Sequence, residues 1–194
     1  MSKFKTSRKV LLLVVMLVGV IPVRGADRPL DYRILATSKT STMERELNEA
    51  SAAGYRFSQA MGGKTANGGQ EVVVAMVREP VAPGRAVRRY KLLATSRTSS
   101  MQKEIQQAAD EGYEFLEQTV FESAFGGREV AVIMELDPSR PVRHVSYRVL
   151  ATSRTSTMQK ELREFGAQGY SLLGLTVGET AFGGDEIVAT LKKD

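Results

Sequence analysis

A 48-residue unit is written three times in this 194-residue chain, without a gap, at Tyr32–Glu79, Tyr90–Asp137 and Tyr147–Asp194. Each copy opens Tyr-basic-x-Leu-Ala-Thr-Ser-basic-Thr-Ser. The second and third copies share 24 of 48 positions, and 15 of those hold in the first as well. Repetition at this length constrains the fold because one such unit, with no Cys in the chain to staple it, has too small a core to stand alone. The copies must therefore bury surface on one another. Units at residues 31–79, 90–137 and 147–194 with linkers at 80–89 and 138–146 are expected to pack as one body.

Within each unit the opening run sets Tyr147, Val149 and Ala151 in alternation with Arg148, Leu150 and Thr152, with β-branched or aromatic residues near its start, which predicts a strand. A helix follows. Ser41…Glu44, Ser99…Gln102 and Ser156…Gln159 match the S-x-x-E/Q capping box, placing the helix start at the serine. Its apolar stripe runs Met43-Leu47-Ala50, Met101-Ile105-Ala108 and Met158-Leu162-Phe165, spaced to lay one face on a sheet. Gly54, Gly112 and Gly169 end it in the left-handed conformation. A second strand, such as Leu172–Val177, then a loop closing in Gly-Gly and a third strand (Glu71–Val77, Glu129–Leu136, Glu186–Leu191) complete the unit. The fold class is α+β: three tandem β-α-β-β repeats with about nine strands and three helices. Near-constant steps of 58 and 57 residues between opening tyrosines, and paired prolines in both linkers, favour a regular pseudo-threefold or stacked array.

The first 25 residues read as a secretory signal peptide. Lys3, Lys5, Arg8 and Lys9 precede an apolar run from Val10, Pro22 breaks it, and Val23-Arg24-Gly25 suits cleavage before Ala26. Even to Val23 that run is 14 residues, short of the roughly 20 a membrane helix needs. The protein is therefore expected to be exported, periplasmic or extracellular, with no stable membrane span after cleavage. Removing residues 1–25 also removes five basic residues and no acidic ones, so 27 − 5 = 22 Lys+Arg face 22 Asp+Glu. A neutral chain lacks the basic footprint of nucleic-acid binding. With no Cys and one His, thiolate metal sites are excluded and the usual acid–base and zinc ligands are almost absent; an enzyme, a hydrolase using the recurring Glu46, Glu104 and Glu161, is the third reading, and no cofactor is implied.

The strand, the helix, the glycine-aromatic pair after it and the hairpin together resemble a small bacterial domain family of unknown function. That family carries Gly-Trp-Glu-Leu after the helix, where this chain has Gly54-Tyr55-Arg56-Phe57, Gly112-Tyr113-Glu114-Phe115 and Gly169-Tyr170-Ser171-Leu172. Tyrosine replaces tryptophan, and the Ala-Thr-Ser-basic-Thr-Ser run lies outside the family pattern. The resemblance implies a fold and brings no activity.

Two recurring features are candidates for function. The corners Thr37-Ser38-Lys39-Thr40, Thr95-Ser96-Arg97-Thr98 and Thr152-Ser153-Arg154-Thr155 lead into helix N-termini, where hydroxyls, a cation and free amides suit a carboxylate, sulfate or phosphate. The same residues also serve as turn and cap chemistry. Glu46, Glu104 and Glu161 sit beside the helix stripe and are expected to form ion pairs between repeats. Phe125 and Phe182, in the Ala-Phe-Gly-Gly loops, are weaker contact candidates. Gly62-Gly63-Lys64-Thr65 fails the phosphate-loop pattern, because Ser58 stands where a glycine is required. The function read from the sequence is a non-catalytic cell-envelope interaction or scaffold module with three equivalent surfaces. The alternative is a small-anion or glycan-binding protein using the three corners.

Overall fold

The structure, a computed structural model, describes residues 29–66, 69–78, 86–95, 97–122, 128–179 and 184–194. Residues 1–28, which include the expected signal segment, most of the first linker, Ser96, Phe125 and Phe182 lie outside the described residues. Three helices and nine strands are present among the described residues, arranged as three antiparallel three-stranded sheets. Unit 1 comprises β1 (Asp31–Thr37), α1 (Thr40–Ala52), β2 (Arg56–Thr65) and β3 (Gly69–Arg78). Unit 2 comprises β4 (Arg89–Thr95), α2 (Thr98–Asp110), β5 (Glu114–Glu122) and β6 (Arg128–Leu136). Unit 3 comprises β7 (Ser146–Thr152), α3 (Thr155–Ala167), β8 (Ser171–Glu179) and β9 (Asp185–Lys193). In every sheet the last strand of the unit lies in the middle, in the orders β1-β3-β2, β4-β6-β5 and β7-β9-β8.

Each helix stops where the sequence says it should. Gly54, Gly112 and Gly169 have φ of 89°, 94° and 88°. The Gly54 amide donates to Ser51 O and the Tyr55 amide to Ala50 O, and the same pair of bonds recurs in units 2 and 3. This is the double closure that a glycine in the left-handed region permits. The helix start differs from expectation. Each helix begins one residue before the serine, with Lys39, Arg97 or Arg154 as the capping residue in extended conformation and no side-chain cap. The turn is made instead by Thr37, Thr95 and Thr152, whose hydroxyls accept the amides of Lys39, Arg97 and Arg154 at 3.2, 3.1 and 3.2 Å. A hydroxyl two residues ahead closes such a turn locally, leaving Glu44, Gln102 and Gln159 free for other work.

The units form alternating layers of sheet and helix. α1 lies between the unit 1 sheet and β4, α2 between the unit 2 sheet and β7, and α3 rests on its own sheet. Strand alternation makes this possible, because successive residues face opposite sides of a sheet. In β6, Val130, Val132 and Met134 join the core around α2, while Ala131 and Ile133 join the core around α1. A sheet buried on both faces explains why that strand reads as a near-continuous apolar run. The core under α3 is smaller: Met158, Ala189 and Leu191 are buried, whereas Leu162 and Phe165 are only partly covered.

Away from the helices, the hairpin strands β2, β5 and β8 lean directly on one another. They approach closely at Gly62, whose amide donates to Thr119 Oγ1 at 2.6 Å. A Cβ there would stand 1.6 Å from the Val120 carbonyl oxygen, whereas one at Gly63 would meet nothing within 4 Å. The glycine pair that mimics a phosphate loop is thus a packing device. Gly62→Ala is expected to lower stability by about 1–3 kcal/mol, the usual cost of overpacking, and Gly63→Ala to change it far less. Thermal unfolding of the two variants side by side checks this.

Candidate functional site

The chemistry of this chain concentrates where one unit meets the next. β4 and β7 are edge strands, and a buried edge leaves alternate amides and carbonyls unpaired unless something completes them. Helix side chains of the preceding unit do so. Asn48 Nδ2 donates to Tyr90 O at 2.9 Å and Asn48 Oδ1 accepts the Tyr90 amide at 3.0 Å. The Leu92 amide donates to Glu44 Oε2 at 3.0 Å, and Ser51 Oγ donates to Arg88 O at 2.7 Å. The second junction repeats the scheme with glutamines. Gln102 donates to Tyr147 O (2.9 Å) and accepts the Val149 amide (2.8 Å). Gln106 donates to Val145 O (3.0 Å) and accepts the Tyr147 amide (3.0 Å).

The opening tyrosine of the incoming unit supplies a second link. All three hairpins carry a register shift, between Phe57 and Gln59, Phe115 and Glu117, and Leu172 and Gly174. Such a bulge takes a backbone group out of the ladder. The Phe57 amide donates to Tyr90 Oη and the Phe115 amide to Tyr147 Oη, each at 3.1 Å. Tyr90 in turn donates to Glu135 Oε2 at 2.8 Å, and Arg88 spans Glu135 and Asp137 at 3.1 Å each. Burial pushes both phenols up from their ordinary value, and the nearby Glu135 carboxylate raises Tyr90 further.

Repetition does not produce three equivalent faces. In unit 1, Tyr32 and Ile34 occupy the positions of Tyr90 and Leu92, yet they are 59% and 62% exposed against 2% and 7%. Among the described residues no helix covers them. At the other end, α3 carries Gln159 where Gln102 stands, and Arg163 where Asn48 and Gln106 stand. These two, with Thr155, Met158, Leu162 and Leu175, line an open groove. A second, polar groove crosses the hairpins, lined by Lys64 and Gln70 of unit 1, Thr119 and Arg128 of unit 2 and Val177 of unit 3. Its Arg128 is held by Asp185 at 2.9 Å and donates to Val177 O.

The corners remain separate, one per helix. Lys39, Arg97 and Arg154 are exposed and Thr40 and Thr98 half-buried, as is Ser38; Ser153 and Thr155 are exposed. Thr37, Thr95 and Thr152 are engaged in the turns already described. The recurring glutamates do not bridge units among the described residues. Glu46 lies 3.9 Å from Arg45 of its own helix, Glu104 is exposed and Glu161 half-buried. Glu44 does cross between units, where it accepts an amide, and a cross-unit ion pair is formed instead by Arg128 of unit 2 and Asp185 of unit 3. No group of three or more His, Asp or Glu that could hold a metal occurs among the described residues, and no described helix is long and apolar enough to cross a membrane. Comparison with protein-family models, with curated proteins and with solved structures finds no match.

Two outcomes test the junction. Gln102→Leu strands the Tyr147 carbonyl and Val149 amide and is expected to cost about 1–3 kcal/mol, while Gln159→Leu, on the open helix, is expected to cost little; denaturant unfolding of both variants measures the difference. The raised phenols bind their protons more tightly in the folded state. Their contribution is therefore complete below the unfolded value of about 10 and is lost as pH rises above it. The double variant Tyr90→Phe/Tyr147→Phe is expected to be less stable at neutral pH, with a shallower alkaline decline in a pH series of melting temperatures.

Proposed function

We propose that this is an exported, non-catalytic interaction or scaffold module that works through the two terminal faces of its stack. The observation that supports this reading most is the distribution of apolar surface. Of the ten large hydrophobic residues left exposed among the described residues, seven lie at the two ends: Leu30, Tyr32, Ile34 and Met61 on the bare sheet, and Leu172, Leu175 and Val177 beside α3. Apolar surface gathered in this way marks a contact face. Between the ends, Glu44, Asn48, Gln102 and Gln106 are engaged in joining one unit to the next.

The small-anion or glycan reading has less support. One hydroxyl of each corner closes its own turn, and what remains is a cation beside a helix start, which many helices possess. The small bacterial domain family that the sequence resembles is consistent with the unit's fold and supplies no activity to set against this reading.

Photo-cross-linkers placed at Tyr32, at Leu175 and at the exposed Lys103 as a control test the proposal in cells. Adducts are expected from the two ends and not from Lys103, on a processed chain whose mass begins at Ala26. Equal or absent labelling at all three positions would defeat the reading, and a retained N-terminal segment would defeat export.

A further inference from the structure

The two bare ends are the two halves of an interface that the chain already makes twice. At each internal junction a sheet face bearing an aromatic and an aliphatic residue, Tyr90 with Leu92 or Tyr147 with Val149, covers the helix of the unit before it. The free sheet of unit 1 presents Tyr32 and Ile34 at those positions, with Val73 and Ala75 where Ala131 and Ile133 are buried. Leu30 stands at the position of Val145, which is buried at the second junction. The free helix α3 presents the matching socket, the groove lined by Met158, Leu162 and Leu175. Within one chain the halves stay apart, since Tyr32 and Ile34 remain exposed and the groove remains open.

We infer that the occupant of the α3 groove is the β1 sheet face of a second copy of this chain, docked head to tail in continuation of the internal junctions. This inference rests on the terminal-face reading above and names the partner. In the docked pair, Ile34 enters the groove as Leu92 and Val149 do at the internal junctions. Gln159 is placed to treat the Tyr32 carbonyl and Ile34 amide as Gln102 treats those of Tyr147 and Val149. The Tyr32 hydroxyl has its counterpart in the Leu172 amide, at the third bulge.

One residue departs from the pattern. Arg163 replaces a side-chain amide that both donates and accepts, and a guanidinium only donates. It can serve the carbonyl of Leu30, as Gln106 serves Val145, but not the Tyr32 amide. The contact between chains is therefore weaker than the internal ones and responds to concentration. Because the two surfaces differ, the interface is heterologous and adds chains in one direction, closing into a ring or continuing as a filament.

The experiment uses purified, processed protein in sedimentation and light scattering between about 1 μM and about 1 mM. Wild type is expected to shift from one chain to multiples of it as concentration rises. Ile34→Asp and Leu175→Asp alter exposed residues at opposite ends; circular dichroism verifies that both fold. Each alone is expected to remain a single chain, since every pairing meets one spoiled face. Mixed in equal amounts they are expected to form a dimer and stop there, because each contributes its one intact face. A wild type that stays a single chain throughout overturns the inference, as does association that survives either substitution, or a mixture that fails to pair. Cross-linked adducts from the ends that contain only other proteins would overturn it while leaving the terminal-face reading standing.

Discussion

The structure depends on how the exposed edge of a β-sheet is completed. In units 2 and 3 the first strand is an edge strand that lies inside the molecule, where unpaired backbone groups are costly. Adding another strand would satisfy them. Here the preceding helix does it with side chains: an asparagine, a glutamate and a serine at the first junction, two glutamines at the second. A side-chain amide suits this role because it donates and accepts at once, copying the pattern of a neighbouring strand. The helix can then lie across the edge, and its apolar stripe meets the inward residues of the same strand.

The two-faced sheet follows from that arrangement. Once a helix covers one face and its side chains complete the edge, the other face is free to bury the helix of its own unit. Alternation of side chains then divides a single strand between two cores, as β6 is divided. The cores of units 1 and 2 are each completed by the unit that follows. The hairpin bulge, the opening tyrosine and the close approach at Gly62 all sit on this shared boundary, which accounts for their position more directly than any role within a unit.

Much of this was legible in the sequence, and the failures have a common cause. The repeat, the α+β class, the helix stripe and the terminating glycines are local or periodic signals, and the structure bears them out. Glu44 and Gln102 were also visible as recurring, but local chemistry offered them a nearer partner in a capping box. The tertiary demand of the next unit's edge strand outweighed it. Asn48, Gln106 and Arg163 differ in type across the units, so repetition did not flag them, although the arginine marks the one helix with no following unit among the described residues. The opening tyrosine recurs in every copy, yet nothing local shows that its hydroxyl crosses to a bulge more than 30 residues back in sequence.

The order of socket and strand along the chain has a consequence for how the molecule is made. In each junction the helix that receives is encoded before the strand that is received: α1 precedes β4, and α2 precedes β7. Each incoming strand therefore emerges after the helix that completes its edge. With the opposite polarity, each strand edge would be left open until a later helix arrived to cover it. The layering thus allows a chain that emerges N-terminus first to close each edge, and to complete the core of the unit before, as the new strand arrives.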